Sequence, residues 1–123
     1  MKSVKQFFKS LKYAIQGLRD IARREQSFRI QLFAGSIVVV LIFIFPMATW
    51  ERVLLIVMIS AVLVLEVINS IFERISDALK PRLHPMVREV KDMMAGAVLI
   101  TAITSIIVAG LIFWTYLKEY VVS

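Results

Sequence analysis

The sequence contains no cysteine and only one histidine, His84. Without thiols there is no disulfide framework, no cysteine nucleophile and no thiolate site for zinc or iron–sulfur, and one imidazole cannot build a histidine-rich metal centre. Glycine is scarce as well. Gly17, Gly35, Gly96 and Gly110 are too scattered to form a phosphate-cradling loop, and GxxxxGK[ST], GxGxxG and the kinase triplets HRD and DFG are all missing. Any phosphate-bearing ligand must therefore be held by helices, charges and metal. Acidic side chains number nine against fifteen Lys and Arg, a net charge of +6 over 123 residues. With 59% hydrophobic residues, the chain has too little polar surface for a soluble domain. The basic excess points to anionic lipid headgroups and phosphates, well ahead of nucleic acid.

What is present reads as a single 1–123 membrane domain of four helical segments. In 2–23, Val4, Phe7, Phe8, Leu11, Ile15, Leu18 and Ala22 recur at helical spacing, with Lys2, Lys5, Lys9, Lys12 and Arg19 on the other side. Such a helix lies in the headgroup plane. Residues 30–47 carry no charge and make about 27 Å of helix, close to the hydrocarbon thickness. The segment begins too late in the chain for a secretory signal and is not followed by a small-x-small cleavage site. Pro46, Thr49, Glu51 and Arg52 mark a turn. A second span, 53–75, is uncharged as far as Leu65 and continues its apolar side through Val67, Ile68, Ile71, Phe72 and Ile75. A loop containing Lys80, Pro81, Arg82, His84, Pro85 and Arg88 leads to a third span, 93–117, where Ala97, Thr101, Ser105 and Ala109 form a stripe that admits close helix approach.

Basic residues concentrate before residue 30 and between Arg74 and Lys91, which predicts a cytoplasmic amino end and second loop, with the carboxyl end outside. Trp50, Trp114, Tyr116 and Tyr120 fall where the outer aromatic belt belongs.

The chemistry lies on the second span. Glu66, Asn69, Ser70, Glu73 and Asp77 form one polar stripe on an apolar helix. Ionisable groups inside a span are costly, face a bundle interior and usually serve function. Glu66, the deepest, suits a general base, and Glu73, nearer water, suits a hard cation. Glu25 and the pair Lys91-Asp92 reach the same membrane level from two other segments. Lys91 is open to two readings, a phosphate contact or a snorkelling positive-inside residue.

The Glu66, Asn69, Ser70, Glu73 and Asp77 run, followed by Lys91-Asp92 and Ala95-Gly96-Ala97-Val98-Leu99, resembles the signature of the small prokaryotic diacylglycerol kinase and undecaprenol kinase family. The likeness continues upstream through Tyr13, Gly17, Leu18, Glu25, Phe28 and Arg29. It implies a homotrimeric helical bundle in the bacterial cytoplasmic membrane, with each protomer contributing three transmembrane helices and an interfacial helix to sites shared between subunits. The implied reaction moves phosphate from ATP to a lipid alcohol, with Mg2+ as cofactor and no nucleic acid as partner. By position, the resemblance makes Glu66 the catalytic base and Glu25 and Glu73 the magnesium ligands. Asn69 positions them, and Tyr13, Asp77, Arg82, Leu83, His84, Lys91 and Asp92 belong to the nucleotide site. The Ala95–Val98 wording is closer to the polyprenol branch. A different class of function, a small transporter or channel using Glu66 as a proton or cation relay, predicts polar partners on several spans.

Overall fold

The computed structural model describes residues 2–79 and 84–122, excluding the side chains of Lys2, His84 and Val122. Four helices follow one another: α1 (Lys2–Arg24), α2 (Gln26–Ile44), α3 (Thr49–Leu79) and α4 (His84–Val122). There is no strand among the described residues. The chain is an all-helical membrane protein in which α2, α3 and α4 are each long and apolar enough to cross a bilayer.

The helix limits follow from local chemistry more than from the uncharged runs. α2 starts at Gln26, ahead of its apolar stretch, and stops at Ile44 because Phe45 precedes Pro46 and takes an extended conformation, φ −79° and ψ 145°. α3 begins at Thr49, where the Glu51 carboxylate accepts the Ala48 backbone N–H at 3.0 Å. This is the returning half of a capping box. Pro85 lies in the first turn of α4, where its missing N–H costs no hydrogen bond. At 39 residues α4 is about 58 Å long, nearly twice the hydrocarbon thickness, which leaves length for charged first turns beyond an apolar span.

Both tight inter-helix connections are fastened by an arginine reaching back. At the first, Arg29 donates from Nη1 to the carbonyls of Ala22 (2.8 Å) and Arg23 (2.9 Å), satisfying the open end of α1. At the second, Arg52 donates to the carbonyls of Ile42 (3.2 Å) and Phe45 (3.3 Å) at the end of α2.

The tightest packing gathers where α2 ends, α3 begins and α4 ends. Ile42, Met47, Leu55 and Ile112 are buried there, with Phe45 ringed by Phe113, Tyr116 and Tyr120. Trp50, Trp114 and Tyr120 at this end are exposed, as belt residues are. Tyr116 differs, because its hydroxyl turns inward and donates to buried Glu51. Two residues of the small-residue stripe of α4 face a cleft inside the bundle. Ser105 and Ala109 line a cleft of about 140 Å³ against Gln31 and Gly35 of α2 and Leu55 and Val62 of α3.

Candidate active site

At the opposite end of the bundle, α3 carries its polar stripe past the break between α1 and α2. Glu25 is that break: its backbone is extended, φ −104° and ψ 110°, and it occupies the N-cap of α2 without using its side chain to cap. The carboxylate is thereby free to face α3. It accepts a hydrogen bond from the Ser70 hydroxyl, Oγ to Oε1 at 3.4 Å, and Ser70 is itself 2% exposed.

One turn deeper lies Glu66, 7% exposed and among the few buried charged groups described. Its Oε2 accepts a hydrogen bond from Ser27 Oγ at 3.1 Å. Beyond it, toward the middle of the bundle, the lining is apolar except for Gln31 and Ser105, and the Ser105 hydroxyl is buried without a partner. A carboxylate in this position holds a hydrogen-bonded, nearly dry oxygen at the edge of the apolar interior. Such a group can take a proton from a hydroxyl delivered along the membrane boundary.

Toward the other side the stripe becomes wetter. Asn69 Nδ2 donates to Glu73 Oε1 at 3.3 Å, fixing that carboxylate one turn above Ser70. Asp77 is well exposed and makes a loose ion pair with Lys91 of α4, Nζ to Oδ1 at 4.0 Å. The pair ties the charged ends of α3 and α4 together, but solvent screening leaves it weak.

Of the expected residues, these contacts join Asn69 to Glu73 and Asp77 to Lys91, while Glu25 meets Ser70 and Glu66 meets Ser27; Glu66, Asn69, Glu73 and Asp77 share one face of α3. Tyr13 and Asp92 are exposed and join none of the described hydrogen bonds or ion pairs. Arg82 and Leu83 lie outside the described residues, and of His84 only the backbone at the head of α4 is described. Ser27 is not among the residues expected from the sequence. Its only signal was a hydroxyl two residues after an acid at a helix start.

No group of three acidic or histidine side chains converges among the described residues. For magnesium this is no obstacle. The ion is typically bound by one or two carboxylates, with water and substrate phosphates completing its shell, and Glu25 and Glu73 are hard oxygen donors of that kind. The donor set fits.

Comparison with known proteins agrees with the architecture. Residues 12–113 match the family profile described as prokaryotic diacylglycerol kinase. The chain is 32% identical over 107 residues to an undecaprenol kinase of Bacillus subtilis, covering 87% of each chain. It is 31% identical over 108 residues to a diacylglycerol kinase of Escherichia coli K12, covering 88% of each. A diacylglycerol kinase of Helicobacter pylori 26695 is 33% identical over 120 residues, 93% of this chain and 82% of the relative.

Proposed function

The chain belongs to the prokaryotic diacylglycerol kinase family, and from that premise we propose that it phosphorylates a lipid alcohol, diacylglycerol or undecaprenol, at the cytoplasmic face of a bacterial membrane, using ATP. The observation that carries this reading is Glu66, buried at the apolar boundary with one oxygen hydrogen-bonded and the Glu25–Ser70 and Asn69–Glu73 pairs on the turns above it.

Phosphoryl transfer asks a protein for positioning and charge neutralisation more than for covalent chemistry. The lipid hydroxyl approaches Glu66, which accepts its proton as the oxygen bonds to the γ-phosphorus. The bond from that phosphorus to the β-phosphate bridging oxygen breaks, and ADP leaves. Lys91 swings from Asp77 to the phosphates and offsets their charge. Glu25 and Glu73 would hold Mg2+, which when bound would supply charge neutralisation at the phosphates. Glu66 and Glu73 are seven residues apart, about 10 Å along α3, so proton acceptance occurs at the lipid boundary and phosphate binding nearer water. Tyr13, Asp92, Arg82, Leu83 and His84 complete the nucleotide side, and a trimer brings each site residues from a neighbouring subunit. The amino end lies in the cytoplasm and the carboxyl end outside.

A relay through the bilayer would need polar groups continuing past Glu66. The described hydrogen bonds of Glu66 end at Ser27, and the cleft beyond is largely apolar, which favours the kinase.

The test is purified protein in mixed micelles with MgATP, offered diacylglycerol and undecaprenol side by side. Phosphate transfer to either lipid is the expected result, and the preferred acceptor identifies the branch. Absence of transfer to both, in protein that remains folded, refutes the reading.

A further inference from the structure

Two hydroxyl–carboxylate bonds cross between α2 and α3 in opposite senses. Ser70 of α3 donates to Glu25 at the head of α2, and Ser27, two residues into α2, donates to Glu66 of α3. The first bond is buried on its serine side. The second is not, because Ser27 is exposed while its acceptor is buried. A serine in the first turn of a helix commonly turns its hydroxyl to nearby backbone N–H groups. Ser27 spends it across the bundle instead, on the one oxygen of Glu66 with a described partner.

We infer that Ser27 is a positioning residue for the reaction, holding the Glu66 carboxylate in the rotamer that presents its other oxygen to the lipid hydroxyl. The inference rests on the proposed role of Glu66. The hydroxyl donates to Oε2 and leaves the other oxygen to receive a proton, and the bond fixes a side chain with three rotatable torsions. A misplacement of about 1 Å at a reacting group costs up to about a hundredfold in rate, so a single orienting bond is worth a measurable part of turnover. Because Ser27 lies at an exposed helix start where alanine is well tolerated, its loss leaves the fold intact.

The experiment compares wild type, Ser27→Ala, Ser27→Thr, Glu66→Gln and the Ser27→Ala/Glu66→Gln double variant in the micelle assay. Ser27→Ala is expected to lower kcat about tenfold while KM for MgATP and thermal stability stay as in wild type. Ser27→Thr, which keeps the hydroxyl, restores most of the rate. The double variant is no slower than Glu66→Gln alone, since an orienting group has nothing left to orient. Wild-type turnover in Ser27→Ala beside an inactive Glu66→Gln overturns the role of Ser27 and leaves the base in place. A Glu66→Gln variant with full activity removes the base itself, and the role of Ser27 with it.

Discussion

Replacing Glu66 by glutamine removes the ability to accept a proton while keeping the shape of the side chain and an acceptor oxygen for Ser27. General-base assistance is worth about 10²- to 10⁴-fold, or about 2.7 to 5.4 kcal/mol of barrier. Glu66→Gln is therefore expected to lose two to four decades of kcat, roughly, in the micelle assay, with KM for MgATP nearly unchanged. Glu66→Asp separates chemistry from reach. It keeps the carboxylate but withdraws it by one methylene, about 1.5 Å, which takes the 3.1 Å contact with Ser27 past the limit of a hydrogen bond. That variant should lose about ten- to a hundredfold, between wild type and the amide. Stability gives the control. Neutralising a buried carboxylate removes a desolvation penalty, so Glu66→Gln should unfold in detergent no more readily than wild type. Turnover of Glu66→Gln within tenfold of wild type would refute proton acceptance by this residue.

Three other substitutions separate parts of the structure. Glu73→Ala removes a carboxylate that Asn69 holds at 3.3 Å, and should raise the magnesium concentration for half-maximal rate severalfold while excess magnesium restores much of kcat; an unchanged magnesium titration excludes Glu73 as a ligand. Arg29→Gln and Arg52→Gln remove the same kind of carbonyl cap at the two connections, but only the first adjoins the site. Arg29→Gln should lower activity severalfold through displacement of Glu25, whereas Arg52→Gln should retain activity and lose about 1–2 kcal/mol of stability in a detergent unfolding titration. Equal activity losses in the two variants would contradict the coupling of the first connection to the site.

The helices were legible because their signals are local. The 3.6-residue periodicity of α1, the uncharged length of three spans and the acids on one side of α3 can each be read within a single window. The helix ends were less so. The uncharged stretch ending at Met47 conceals that Pro46 already bars Phe45 from the helix, and the charges opening α4 gave no reason to extend a membrane span back to His84. Within the site, the acids announce themselves because a buried carboxylate is expensive and thus informative. Ser27 does not, since an exposed serine at a helix start is ordinary and acquires meaning only when α3 lies against it. Tyr116 illustrates the same limit. Its composition and place fit an aromatic belt, and only the packing of α4 on α3 reveals that its hydroxyl serves Glu51.

The position of Glu25 shows how a break in the chain can create a site. An unbroken helix through residue 25 would commit that backbone to α1 and carry α1 and α2 along a single axis. Instead α1 ends at Arg24, Arg29 closes its exposed carbonyls, and the extended residue between the two helices aims a carboxylate at α3. The same turn places Ser27 within reach of Glu66. An interfacial helix with a basic side, a connection only one residue long and a polar stripe at the membrane boundary thus serve a single end. They place the Glu25 carboxylate against Ser70 and the Ser27 hydroxyl against Glu66, the arrangement on which the proposed meeting of a lipid hydroxyl and a water-borne phosphate depends.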